Sequence, residues 1–482
     1  MHSVSRRKFL FASSLAAASL PLRASNLISA NNRVRLAMIG CGRRAFGLAR
    51  QFALVPDCEI VALCDPDTAQ VDGFLHKLTQ KQVPVDVNQL DRYQDYRRLL
   101  ERDDIDAVVV ATPNHWHALH AIHAMQAGKD VYLEKPVTHN IWEGQQLVAA
   151  AKASGRVIAA GFQNRSDPAP IEGIRYVHEG NLGKIESVHV CCFRNRDSIG
   201  PRRAQPLVPP STCDYNLWLG PAQDEPILRN NFHYDWHWVW NNGNGDIGNQ
   251  APHEIDMACW VMGGEKLPTS MDSFGNRFAW NDAGETPNLH TAWFEQNTIP
   301  CIIEVNDLKL SPERNVAGAR HGTRVGIIVR CEGGELRGGR GGMYVVGDDG
   351  KTRLTKFPGD GGKLHQQNFI DAVRSRRSQD LSVSIERAER SSAVAHLANV
   401  SLRTGTNARE SALLPKLSSH PVLQRILQDQ SKQLKNWGID DPEYRVGQSL
   451  QIDPLRVSIK GESVAPLVRP VCRPEFTVPE LV

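Results

Sequence analysis

The sequence predicts an α/β protein. A doubly wound parallel sheet comes first, followed by an α+β domain with a large, open, mostly antiparallel sheet. Three observations carry this. Short apolar runs alternate with segments of helical spacing up to about residue 160. Glycines stand just past several of those helical segments, where a left-handed residue is wanted. Beyond Phe162 the rhythm changes to alternating strands joined by glycine turns.

Taken in order, Arg35–Ile39 is a wholly buried strand type, an apolar run entering glycines. A helix follows over Ala45–Leu54. Ile60–Cys64 is the second strand, ending at Asp65. Ala107–Ala111, Val131–Leu133 and Val157–Ala160 are the next three, with helices His117–Ala127 and Ile141–Ser154 between them. Gly128 and Gly155 close those helices. In the second domain a helix over Ile171–Glu179 precedes an alternating strand, Ile185–Phe193. A loop-rich stretch from Arg194 to Gly248 carries many Pro, Asn and Trp residues. Met271–Phe278, Thr291–Phe294, Cys301–Val305, Arg324–Val329 and Met343–Val346 have the pattern of antiparallel strands. The Gly-rich run Glu332–Met343 reads as a mobile loop rather than a phosphate loop, because no strand-loop-helix context surrounds it. His365–Arg374 and Ile385–Thr404 are helical. From about Leu413 the chain is Pro-rich and polar, and it is expected to lie extended across the body. The divisions are a leader over 1–30, a nucleotide-binding domain over 31–161, a second domain over 162–410 and a tail over 411–482.

The chain has 482 residues, which suggests about three units. Hydrophobic residues make up 41% and charged residues 23%, a globular balance. A formal charge of +3 argues against a nucleic-acid binder, which needs a concentrated basic face. Ser5-Arg6-Arg7-Lys8-Phe9-Leu10 is a twin-arginine pattern followed by an apolar run to Leu22. A helix over that run spans about 21 Å, short of the roughly 30 Å of a bilayer core. It therefore reads as a secretory signal, and the mature protein is expected in the periplasm with no membrane span. The ten cysteines form no C-x-x-C pair, so neither zinc knuckles nor a disulfide framework is expected.

Gly40-Cys41-Gly42-Arg43-Arg44-Ala45 follows a strand and opens a helix, as in the dinucleotide fingerprint. Gly40 allows the tight turn, and Gly42 lets the backbone approach a pyrophosphate that faces helix N-terminal amides. Asp65 ends the second strand. A carboxylate there accepts hydrogen bonds from ribose hydroxyls and repels a 2′-phosphate, which favours NAD over NADP. Arg43 and Arg44 pull the other way, since either can neutralise a phosphate.

Three further motifs follow in order: Ala111-Thr112-Pro113-Asn114-His115-Trp116-His117, then Glu134-Lys135-Pro136, then Gly161-Phe162-Gln163-Asn164-Arg165. With the fingerprint, they resemble those of the glucose–fructose oxidoreductase / inositol dehydrogenase / MocA family, over about Val34 to Thr404. The leader resembles that of its exported members. The resemblance implies a Rossmann domain plus an α/β domain whose open sheet pairs subunits, so a homo-oligomer is expected. It places Thr112, Asn114, His117, Glu134, Lys135 and Asn164 at the nicotinamide half of the cofactor. It also implies a cis Lys135–Pro136 bond. Family dehydrogenases carry Asp and His four apart, with the His as acid/base; His253 matches, and Asn249 stands where the Asp would be.

The chemistry of these residues is consistent with alcohol oxidation, which must remove a hydroxyl proton. A buried lysine titrates low enough to take it, so Lys135 and His253 are the candidate proton carriers. Arg165, His237, Trp238, Asn249 and His253 are the candidate substrate contacts. Aromatic faces stack on the C–H face of sugars, and Trp218, Trp236, Trp238, Trp240 and Trp260 cluster in the middle of the chain. His233 and His237 are four apart, a helical metal-pair spacing, yet no third ligand of known spacing accompanies them, and no metal is assigned. The leading expectation is an NAD-dependent oxidoreductase acting on a secondary hydroxyl of a sugar or glycoside, with a tightly held cofactor. A glycoside hydrolase that uses NAD transiently is the alternative, and a non-catalytic NAD-binding protein is the third.

Overall fold

The computed structural model describes residues 33–264, 266–454, 458–459 and 461–482. The twin-arginine leader lies outside the described residues. The first domain holds a six-stranded sheet: β1 Val34–Ile39, β2 Cys58–Cys64, β3 Asp91–Tyr93, β4 Ala107–Val110, β5 Asp130–Leu133 and β6 Ile158–Ala160. Their spatial order is β3-β2-β1-β4-β5-β6, and every pairing is parallel. Side chains on one strand feed two cores. Leu36 and Met38 join one apolar cluster, while Ala37 and Ile39 join the other. Burial on both faces is why these strands are continuous apolar runs. The strand order reverses between β1 and β4, and ligands bind such sheets at that switch point.

Local signals set the helix ends. The helix Ile141–Ser154 starts at Asn140, whose Oδ1 accepts from the Glu143 amide at 3.0 Å. The Glu143 carboxylate accepts in turn from the His139 amide at 2.8 Å, a reciprocal cap. Gly128 (φ 77°) and Gly155 (φ 62°) take the left-handed conformation expected of them.

The second domain is built on a 12-stranded sheet. Its strands include β7 Ile185–Phe193, β8 Ser270–Asn276, β9 Leu289–Gln296 and β10 Ile299–Asn306. After the small hairpin β11 Lys309–Ser311 and β12 Arg314–Ala317 come β13 Val325–Cys331, β14 Gly334–Gly339, β15 Gly342–Gly347 and β16 Arg353–Pro358. Only the β7–β10 pairing is parallel among β7–β10 and β13–β16. The helices Pro168–His178, Pro252–Val261 and Ile385–Arg403 contribute to the core on one face. The last of these also reaches the first domain, where Ile385 and Ala388 enter its core. That shared helix fixes one domain against the other. Among the described residues no helix is long and apolar enough to cross a membrane, and the cysteines are unpaired.

Two expectations are corrected. The run Glu332–Met343 is not a mobile loop but contains β14, paired on both sides. Its glycines permit close backbone approach: a Cβ at Gly338 (φ 120°) would stand 2.4 Å from the Gly342 carbonyl oxygen. The tail is not simply extended. It contains the helix Pro421–Lys435, whose Leu423, Ile426, Leu427 and Leu434 pack with Phe274, Leu289 and Tyr444. This apolar spacing is helical, and Pro421 at the first turn starts rather than breaks it. The helix therefore covers part of the sheet face expected to be open. The chain then returns to the first domain, where Phe476 and Val478 are buried in its core.

Candidate active site

The switch point opens into a cavity of about 570 Å³ bordered by Gly40, Gly42, Asp65, Thr112, Asn114, Lys135 and His253. Gly40 has φ 94°, and a Cβ there would stand 2.8 Å from the Ala111 carbonyl oxygen. Only glycine fits so close to the end of β4. Gly42 precedes the helix Arg43–Phe52, whose first internal bond runs from the Phe46 amide to the Gly42 carbonyl at 3.1 Å. The amides before Phe46 have no partner inside the helix, and Gly42, Arg43 and Arg44 border the cavity, so the helix start is suited to an anion. Asp65 is buried. Its Oδ2 accepts from the Cys41 amide at 2.8 Å and its Oδ1 from the Asp67 amide at 3.0 Å. Burial pushes the Asp65 carboxyl up to about 6, against those two hydrogen bonds. The same carboxylate that faces the cavity thus also fixes the glycine turn. These features fit a dinucleotide.

The two arginines of the fingerprint part company. Arg43 is exposed at the rim. Arg44 turns inward, and its Nε donates to Glu134 Oε1 at 2.7 Å. It also borders the cavity, so the ion pair ties it to Glu134 at the cavity wall. Glu134 is buried, but Arg44 and Lys135 hold its carboxyl below the usual range. Gly161 leaves room for it, since a Cβ there would stand 2.8 Å from Glu134 Oε1.

The Lys135–Pro136 peptide bond is cis. Lys135 Nζ donates to the Asn249 carbonyl oxygen. Burial pushes this ammonium down to about 8, with Glu134 opposing and Arg44 assisting. Asn249 ends the short helix Gly245–Asn249, and its backbone rather than its amide meets Lys135. His253 stands in the first turn of the helix Pro252–Val261. Its ring meets the edge of Phe162 at 5.9 Å, and its Nδ1 is buried with no hydrogen-bond partner. Burial and then the Lys135 charge hold this imidazole well below its ordinary value, so it is neutral and faces the cavity as an acceptor or donor without charge. His117 is a brace: Nδ1 lies 2.5 Å from the Pro136 carbonyl and Nε2 2.9 Å from that of Thr112. Asn114 donates to Asn244 Oδ1 at 2.9 Å.

Three expected contacts stand back from the cavity. Asn164 donates to the His253 carbonyl at 3.2 Å and supports that residue from behind. Arg165 makes two bonds to Asp256, 2.7 and 2.9 Å, and stacks on Trp260 at 4.3 Å. With side chains 5% and 0% exposed the pair is a core strut, not a substrate contact. Trp238 is buried under the Arg196 guanidinium at 5.6 Å, whereas its neighbours Trp236 and His237 border the cavity.

Sequence reading missed Arg194, Arg196 and Tyr234 in the cavity wall, and noted His233 only for its spacing and Trp236 only as one of a tryptophan cluster. They come from the stretch 194–248, where no periodicity marks the inward side. Arg196 donates to Asp246 Oδ2 at 2.8 Å. Although burial pushes Asp246 up, Arg196 holds it below the usual range, while burial and Asp246 push its neighbour Asp307 well above. Among the described residues the Arg194 guanidinium has no ion pair, and its buried Nε has no partner. Burial pushes His237 down to about 4. The wall thus offers a low-titrating lysine, two neutral imidazoles and an uncommitted cation: proton exchange beside a polar ligand.

Residues 34–162 match the family described as "Oxidoreductase family, NAD-binding Rossmann fold". A glycosyl hydrolase family 109 protein of Shewanella pealeana is 36% identical over 119 residues, 25% of this chain and 26% of that protein. The alpha-N-acetylgalactosaminidase of Shewanella oneidensis is 31% identical over 174 residues, 32% of this chain and 38% of that protein. The chain therefore spans well under half the length of these relatives. Among solved structures, the WlbA dehydrogenase of Bordetella pertussis in complex with NADH and UDP-GlcNAcA superposes with TM-score 0.55 at 19% identity, over 77% of this chain and 97% of that one. A levoglucosan dehydrogenase in complex with NADH and levoglucosan gives 0.55 at 18%, over 76% and 96%. At these identities the likeness is one of fold.

Proposed function

We propose that this chain, whose residues 34–162 match the Gfo/Idh/MocA oxidoreductase family, is an NAD-dependent oxidoreductase acting on a secondary hydroxyl of a sugar or glycoside. The observation that carries it is Lys135: a lysine titrating near 8 at the switch-point cavity, with neutral His253 in the same wall. Gly40, Gly42 and the helix amides would hold the pyrophosphate, and Asp65 the ribose. When bound, the nicotinamide accepts or returns a hydride. Lys135 Nζ takes the hydroxyl proton, and the Asn249 carbonyl keeps that nitrogen in place. His253, Arg194 and His237 bond the remaining hydroxyls, and the 194–248 segment shields the cleft from water.

Tight retention of the cofactor is part of the proposal. The 194–248 segment is tied across the β2 turn by Thr68 N–H to the Thr212 carbonyl (3.1 Å) and Asp214 N–H to the Pro66 carbonyl (2.8 Å). Asp65 favours NAD over NADP, because a 2′-phosphate would meet its negative charge. We also propose twin-arginine export and pairing of copies through the sheet face that the Pro421–Lys435 helix leaves free.

A redox glycoside hydrolase is the second reading. His237 favours it, as a second uncharged base across the cavity from Lys135 that can take a proton from the carbon next to an oxidised one. Spectra of protein purified without added cofactor, before and after adding free sugars and aryl glycosides, separate the two. Growth of reduced-nicotinamide absorbance with the glycoside intact supports the dehydrogenase. Release of the aryl group, abolished by Lys135→Ala, supports the hydrolase. Full biological activity in Lys135→Ala would overturn both in favour of a non-catalytic role.

A further inference from the structure

The tie between the 194–248 segment and the first domain has a chemical centre apart from the proton chemistry. Asp67 and Cys213 face one another across an isolated antiparallel bridge, so their side chains leave the backbone on the same side. His233, from the short helix Phe232–Asp235, brings its Nε2 to 2.8 Å from Asp67 Oδ2. One carboxylate oxygen, one sulfur and one imidazole nitrogen all lie within 4.8 Å of one another. They come from three segments that only the fold brings together.

We propose that Asp67, Cys213 and His233 form a binding site for a thiophilic divalent cation, zinc foremost, that fastens the 194–248 segment over the ribose end of the cavity. The donor set is chemically apt: thiolate, imidazole and carboxylate are the three protein ligand types of zinc. Asp67 Oδ1 is engaged by the Ala69 amide at 3.0 Å; Oδ2 is bonded to His233 Nε2, and a cation between the two would take the place of that shared proton. His237, the spacing partner of His233, is not among the donors that meet there. Three protein ligands leave a fourth tetrahedral position open, and His233 borders the cavity. The consequence is a cofactor that leaves slowly while the cation is in place.

The test uses the full chain, freed of metal with a chelator and titrated with Co²⁺ and with Zn²⁺. One cation per chain is expected, with a sulfur-to-cobalt charge-transfer band for Co²⁺. Cys213→Ser should lose that band, and His233→Ala should weaken binding on the order of 100-fold. Zn²⁺ should also slow alkylation of Cys213 in the unmodified chain, mapped by mass spectrometry, a readout that needs no variant to fold. NAD dissociation should quicken on chelation. Failure of the unmodified chain to take up a stoichiometric cation, or an unchanged spectrum and affinity in Cys213→Ser, overturns the site and leaves a plain Asp–His hydrogen bond.

Discussion

Lys135 offers a double prediction in which activity and stability move in opposite directions. Its ammonium is pushed from 10.5 down to about 8. At pH 7 such a group is neutral in about one molecule in ten, against about one in three thousand for an ordinary lysine. Hydride transfer in a single turnover, followed by the absorbance of reduced nicotinamide, should therefore rise with pH and level off above about 8. Lys135→Arg keeps the charge at every accessible pH, so it should lose that limb and fall by about 10²–10⁴ in rate. The depression of roughly 2.5 units also corresponds to about 3 kcal/mol of instability. Below pH 8 the lysine is charged in the folded and unfolded chain alike, and this penalty is complete. Between about 8 and 10.5 the unfolded chain binds more protons, so stability rises with pH and the penalty disappears. Lys135→Met should therefore gain up to about 3 kcal/mol at pH 7 in denaturant unfolding of the cofactor-free protein, and the gain should fade above pH 10. A pH limb that survives in Lys135→Arg would refute the proton assignment. A Lys135→Met protein no more stable at pH 7 would refute the burial argument.

Three other outcomes are expected. Asp256→Ala strands the buried Arg165 guanidinium and should cost about 3–5 kcal/mol in chemical denaturation, partly recovered when Arg165→Met is added; an unchanged midpoint would return Arg165 to the substrate contacts. Gly40→Ala places a Cβ 2.8 Å from the Ala111 carbonyl at φ 94°, so NAD affinity should fall steeply in a calorimetric titration, along with about 1–2 kcal/mol of stability. Asp65→Ala should weaken NAD by about tenfold or more while NADP binding changes less; an unaltered preference between the two would sink the role given to that carboxylate.

Much of the first domain was legible in the sequence, because its strands are buried on both faces and each glycine does a local job. Gly40 and Gly42 mark the turn, Gly155 ends a helix, and Asp65 closes its strand, all within short stretches of chain. Lys135 was legible for the same reason: Glu134-Lys135-Pro136 is one contiguous motif. Spacing in sequence could not say which way a side chain points. Arg44 and Arg165 sit inside the right motifs, yet each found a buried carboxylate, Glu134 and Asp256, that lies far along the chain. Glycines that suggested a mobile loop became the strand β14 once neighbours came close enough for backbone pairing. The sequence by itself determined the glycine turn after β1 and the place of Lys135 at the end of β5, since both depend on interactions between near neighbours. The tertiary structure alone decided the far wall of the cavity, the low titration of Lys135 and the meeting of Asp67, Cys213 and His233. Each of those arises from burial and charge contributed by segments many residues apart, and no local pattern encodes it.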